Sequence, residues 1–184
     1  MRMWAVGLLM CAVLGVSGCG YHSLQQQDEA VKTSWSEVVD QYQRRADLIS
    51  SLAAAVKSFA ASEQQLIGLT AAGARSGTES VTPAVLNDPA AFASYQAMQD
   101  HLDRSMRNLI GLAASYPQLQ ADANFLDLRA QLADTQSRIA AARNRYIEAV
   151  RIFNSTVRTF PTDLTARMFD FRPRPNLPVA GVGK

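Results

Sequence analysis

The chain has 184 residues, 48% of them hydrophobic and 18% charged, which is enough apolar mass for one domain with a real core and too much for a disordered body. Its 18 basic and 16 acidic residues nearly cancel at +2, so no long-range field draws it to nucleic acid or an acidic polymer. Cysteine is limited to Cys11 and Cys19, which excludes a disulfide framework once the leader described next is removed.

Met1 and Arg2 are followed by WAVGLLMCAVLGV, a short positive start and an apolar core that fit the h-region of a signal peptide. A membrane-crossing helix needs roughly 20 apolar residues. No charge separates Arg2 from Asp28, so an uncleaved signal anchor reaching Tyr21 or Leu24 is the competing reading. Val16, Ser17, Gly18 and Cys19 resemble the lipobox of bacterial lipoproteins: a branched apolar residue, two small residues that a protease groove accepts, then the cysteine that receives diacylglycerol. On this reading residues 1–18 are removed and Cys19 becomes a lipid-bearing N-terminus. Several acyl chains of the palmitate type give stable attachment where one alone binds marginally. A third reading makes Cys19 a small buried hydrophobe. Both membrane readings place Arg2 in the cytoplasm and the body outside it, in the periplasm. Gly20 after the cysteine, rather than aspartate, resembles lipoproteins sent to the outer membrane of a two-membrane cell.

From Leu24 to about Ala72, apolar residues recur at alternating steps of three and four: Val31, Trp35, Val38, Tyr42, Ile49, Leu52, Val56, Phe59 and Leu66. This pattern predicts one long helix of roughly 75 Å that needs packing for support. Residues 73–88 gather Gly73, Gly77 and Pro83 and read as a connection. Asp88 then reads as an N-cap with Pro89 at the first helical position. The second helix carries Phe92, Tyr95, Met98, Leu102, Met106, Leu109 and Leu112 or Ala113, and closes near Tyr116 before Pro117.

A third helix starts around Asp122 to Asn124 and presents Phe125, Leu128, Leu132, Ile139, Ala142, Tyr146, Val150, Phe153 and Val157 before Pro161 ends it near Phe160. Thr162 or Asp163 caps a last short helix with Leu164, Met168 and Phe169. The rest, FRPRPNLPVAGVGK, reads as a Pro-rich flexible tail over residues 171–184. The fold expected is all-α, an up-and-down bundle of three long helices plus a short C-terminal one over residues 19–170.

At WSEVVDQYQRRADLISSLAAAVKSFAASEQQLI (Trp35 to Ile67) the sequence resembles the LemA family of bacterial membrane-attached helical proteins. SYPQLQADANFLDLRAQL, SRIAAARNRYIEAVRIFN and RTFPTDLTARMFDFRPRP follow in the family's order and spacing. The resemblance covers Tyr21 to Pro175 and implies a bundle of long helices, fixed to a membrane at its N-terminus, with no established enzymatic activity. Two positions depart from the family's habit: Ser50 stands where a proline is common, and Gly18 with Cys19 points to lipid where a plain transmembrane anchor is frequent.

The residues offer little for catalysis. His22 and His101 belong to no HExxH pattern and read as solvated, no Cys/His spacing suits zinc, and there is no phosphate loop or GxSxG. No catalytic residue, metal ligand, cofactor or small-molecule substrate is expected. Arg45 is the notable charge, because the register of Val31, Val38 and Leu52 puts it in the apolar seam. Its carboxylate partner is expected from another helix, Asp127 or Asp134 of the third. Glu63 falls in the same register. Arg138, Arg143, Arg145, Arg151 and Arg158 give the third helix a basic excess, read either as a solvated face or as an interaction face for anionic lipid or an acidic partner. The reading is a non-enzymatic, membrane-anchored envelope scaffold that meets other envelope proteins; the alternative is a protein that binds and reshapes the bilayer through that basic helix.

Overall fold

The computed structural model describes the backbone of residues 2–60, 62, 64–76 and 81–178, and side chains from residue 20 onward in that set except at 75 and 76. Its helices are α1 Arg2–Phe59, α2 Gln64–Ser76, α3 Pro89–Ala113, α4 Pro117–Gln120, α5 Ala123–Arg158 and α6 Thr162–Met168, with a turn of 3-10 helix at Pro83–Asn87. Among the described residues there is no strand, and the fold is an all-α bundle. The chain forms two compact units, one from Met1–Ser34 with Asn144–Lys184 and one from Trp35–Arg143.

In the Trp35–Arg143 unit, the apolar seams of α1, α3 and α5 supply Ile49, Leu52, Val56, Leu102, Leu109, Phe125 and Leu132, all 3% exposed or less. Trp35 meets the Phe92 ring at 5.2 Å, and ten residues further along α1 Arg45 reaches Asp103, eleven further along α3. The two helices therefore run the same way. Tyr42 meets Arg143, whereas Arg45 shares Asp103 with Gln136, earlier on α5, so α5 runs opposite to α1.

The parallel course of α1 and α3 follows from a difference with the sequence reading. The expected single helix over Leu24–Ala72 is two helices, α1 ending at Phe59 and α2 beginning at Gln64. The connection between them is only four residues, and both helices line one hollow, so α2 turns back along α1 as an αα-hairpin. A straight helix would have carried Glu63 into the apolar seam at a heavy desolvation cost; Glu63 itself lies outside the described residues. The reversal changes which residues are inside. Phe59 is 40% exposed and Leu66 only half-buried, while Ala60, Ile67, Thr70 and Ala74 are buried. Ser50 interrupts nothing, since α1 is helical through it.

Asp88 caps α3 as expected, its Oδ1 accepting from the backbone N–H of Ala90 at 2.9 Å and Ala91 at 3.2 Å, with Pro89 following. The buried stripe of α3 ends on Ala113, and Tyr116 begins α4 instead of closing α3. Asp122 Oδ1 accepts from Phe125 N at 2.9 Å at the start of α5, and the whole predicted α5 stripe is buried.

The other unit buries Leu24 and Val31 of α1, Tyr146, Val150, Phe153 and Val157 of α5, Ala166 of α6 and Leu177. α6 starts at Thr162 after Pro161, without a side-chain cap, and Leu164, Met168 and Phe169 face solvent. Residues 171–178 have no regular secondary structure, but where the sequence reading expects a flexible tail they are docked: Arg174 is tied to Asp28 and Asn154, and Tyr146 donates to the Pro175 carbonyl. Residues 179–184 lie outside the described residues.

Replacing Asp88 with alanine leaves two N–H groups at the start of α3 without their acceptor. Asp88→Ala is expected to lower unfolding stability by about 1 kcal/mol, measured by urea denaturation with an unchanged slope.

Candidate functional site

The alternation of three and four residues places most seam positions on apolar side chains and a few on polar ones. Counting along α1 from Val31 and Trp35 lands on Arg45, and one step back on Asp28; counting along α3 from Phe92 and Tyr95 lands on Gln99; on α5 the step after Leu132 is Thr135. All four are buried, at 3%, 6%, 5% and 0% exposure. A polar group so placed must find partners, and each partner names a contact between elements.

In the Trp35–Arg143 unit, Arg45 donates through Nη1 to Asp103 Oδ1 at 2.5 Å and through Nη2 to Gln99 Oε1 at 2.6 Å. Asp103 also receives Gln136 Nε2 at 3.1 Å and lies 3.8 Å from Arg107. The Arg45 guanidinium stands 5.0 Å from the centroid of the Tyr42 ring, an added cation–π contact. Its Nε finds no acceptor among the described residues. Arg45 is thus buried and paired across helices, as the register predicts, but its partner is Asp103 on α3 rather than Asp127 or Asp134 on α5. The reason is geometric. Arg45 faces the α3 stripe that holds Gln99, one turn before Asp103, whereas Asp127 accepts from Gln131 and Asp134 from Arg138 of their own helix. Thr135 satisfies itself on the Gln131 carbonyl.

In the other unit, Asp28 Oδ1 accepts from Arg174 Nη2 at 2.7 Å and Nε at 3.1 Å, while Lys32 Nζ approaches Oδ2 at 3.0 Å. Hydrogen bonding to Glu29 first, and then to Asp28, raises the Lys32 pKa above its ordinary value. Asn154 holds the Arg174 backbone at both ends: its Oδ1 accepts from Arg174 N at 2.7 Å and its Nδ2 donates to Arg174 O at 2.8 Å. The Tyr146 hydroxyl donates to Pro175 O at 2.7 Å. Sequence reading missed this cluster, although Asp28 lies in the seam four residues after Leu24.

The five arginines of α5 do not form one stripe. Arg138 is held by Asp134 at 2.7 Å and Arg151 by Glu148 at 2.6 Å, pairs on their own helix. Arg143 donates to the Tyr42 hydroxyl at 3.1 Å. Arg145 and Arg158 are exposed, and at 100° per residue Arg151 shares a side with Arg158 but not with Arg145. His22 stands 3.0 Å from Gln26 on the surface, and His101 is exposed. Val16, Ser17, Gly18 and Cys19 have side chains outside the described residues.

Among the described residues, no three His, Cys, Asp or Glu are grouped to hold a metal ion, and no helix is long and apolar enough to cross a membrane. A hollow of about 310 Å³ lies between α1 and α2, lined by Ser50, Ala53, Ala54, Ile67, Gly68 and Ala71 with Lys57 and Gln64 at its edge.

The fold is an all-α helical bundle in which Arg45 and Gln99 bind one another across α1 and α3. The chain is a member of the LemA family, whose model matches residues 34–183. No curated protein matches it.

The pair Arg45–Asp103 is asymmetric, because Asp103 keeps 27% exposure and Arg45 keeps 3%. Asp103→Ala leaves a buried cation with only the neutral oxygens of Gln99 as acceptors and is expected to cost about 3 kcal/mol, more than Arg45→Met, while the double variant recovers part of the loss; a urea double-mutant cycle measures all three.

Burial also raises the Tyr146 pKa above the ordinary phenol value. The native chain then keeps a proton that the unfolded chain gives up, so the stabilising effect is complete below about pH 10 and falls as pH rises beyond it. Tyr146→Phe is expected to flatten that alkaline fall in urea unfolding. Loss of the bond to Pro175 lowers its stability at neutral pH by about 1 kcal/mol.

Proposed function

We propose that this LemA-family protein is a non-enzymatic scaffold of the cell envelope, fixed to a membrane through a lipid on Cys19, with its helical body outside the cytoplasm and available to envelope proteins. The observation that carries this reading is where the buried polar side chains go. Arg45, Gln99, Asp103, Asp28, Arg174 and Asn154 are engaged in holding elements to one another. Catalysis would call for convergent polar groups directed into a cleft, and the hollow between α1 and α2 is lined chiefly by small apolar side chains. The lipobox-like run Val16 to Cys19 supports the anchor, and the small residues before the cysteine suit both a protease groove and lipid transfer.

The alternative, bilayer remodelling by a basic face of α5, has less support, because Arg138 and Arg151 are each held by a carboxylate of the same helix.

Metabolic labelling with a tagged fatty acid tests the anchor. The parent chain is expected to take up label and sediment with membranes, and Cys19→Ala to lose the label; equal labelling of the two removes Cys19 as the attachment point. Protease added outside spheroplasts is expected to digest the body, and complete protection would overturn the topology.

A further inference from the structure

We propose that α6 and the residues flanking it form a foot that seats this protein on the bilayer surface beside its anchor. The inference rests on the anchored reading above and extends it to a second, non-covalent contact. Phe160, Leu164 and Met168 recur every four residues and are 77%, 56% and 78% exposed, and Phe169 beside them is 51% exposed. Large apolar side chains gathered at this exposure on one short segment mark a binding surface rather than ordinary surface scatter. The opposite side of α6 is turned inward through Ala166, at 1% exposure.

The position of this patch identifies what covers it. A Cβ built at Gly20 would lie 3.4 Å from Thr165 Oγ1, so the α1 backbone passes directly against α6. Tyr21, itself 38% exposed, meets Phe169 in a tilted ring contact with centroids 4.6 Å apart and Phe171 at 6.0 Å. Gly20 and Tyr21 are the two residues that follow Cys19, and consecutive Cα atoms are about 3.8 Å apart. A lipid on Cys19, or an uncleaved apolar segment ending there, brings the bilayer to within a residue or two of α6. The exposed apolar side chains therefore have hydrocarbon and headgroups as their neighbour.

The surrounding residues fit the same occupant. Tyr21 is of the amphipathic aromatic type enriched at the headgroup level, and Phe160 and Phe169 add exposed apolar area beside it. Arg158 at the end of α5, Arg167 on α6 itself and Arg172 in the chain that follows are exposed. Arg167 lies 3.6 Å from Asp163 and Arg172 2.9 Å from Asp170, so the local cationic excess is small. The contact is accordingly apolar and interfacial, with the aromatic and aliphatic side chains entering the boundary between headgroups and acyl chains.

The test uses the processed chain from Cys19 onward, which has lost Trp4 with the leader, purified with its lipid and reconstituted in phosphatidylethanolamine and phosphatidylglycerol vesicles whose acyl chains are brominated close to the headgroup. Met168→Trp introduces a reporter at an exposed position, and Leu164→Trp supplies a second in case the first disturbs folding; the parent chain, with Trp35 buried at 1% exposure, gives the background. Vesicle flotation is read on the same samples. The expected result is co-flotation, a severalfold stronger quenching of the new indole by brominated lipid than of the parent emission, and loss of quenching by acrylamide. Co-flotation with an indole open to acrylamide and untouched by bromine overturns the foot and leaves the anchor standing. Shielding from acrylamide that grows with protein concentration, without bromine quenching, means a second copy covers the patch and overturns it also. Absence of co-flotation refutes the anchored reading, and the foot falls with it.

Discussion

A guanidinium enclosed by apolar helices must be met by acceptors fixed in place, and the pairing of Arg45 with Asp103 and Gln99 is the constraint around which the larger unit is organised. An unpaired cation at 3% exposure would cost several kcal/mol, so any packing of α1 against α3 that fails to deliver both acceptors is disfavoured. Leucine and alanine contacts tolerate a slip along the helix axes. The fork of an arginine does not, because its donors have a planar geometry that two specific oxygens must fit. Here the apolar seam provides the attraction and the ionic pair selects the register.

The second unit uses the same chemistry with a different participant. Asp28 occupies a seam position on α1, and besides Lys32 one turn on it is met by Arg174, which arrives from a non-helical segment rather than from a second helix. That segment has no helical hydrogen bonds of its own, and Asn154 and Tyr146 supply partners to its backbone at Arg174 and Pro175. Without such partners, buried carbonyl and amide groups in a proline-rich stretch would oppose docking.

Much of this was legible in the sequence because helical periodicity is a local property. The whole α5 stripe from Phe125 to Val157, the Asp88–Pro89 start of α3 and the burial of Arg45 follow from spacing and residue type alone. The break after Phe59 was not recognised, since no proline or glycine marks it; Ser62 followed by Gln65 is the capping-box pattern that signals a new helix there. Asp28 and Gln99 are equally readable as seam positions, since the same three-and-four spacing lands on both. The choice of Asp103 over Asp127 and Asp134 was beyond the sequence, because it depends on α2 reversing the chain and so bringing α3 alongside α1 in the same direction. For α6, residue type and the caps place a short helix around Leu164 and Met168, but in seven residues spacing cannot tell which side faces the core.

Because the smaller unit joins residues before Trp35 to residues after Arg143, it cannot assemble until the stretch around Arg174 has been made. Residues 35–143 are contiguous and have all their partners once that stretch has left the ribosome. Leu24, Asp28 and Val31 are made first, yet Tyr146, Arg174 and Leu177, which share their unit, are made last. Over that interval the apolar side chains of Leu24 and Val31 lack the partners that cover them in the finished unit, and a chain that stops short of Arg174 leaves Asp28 without its guanidinium.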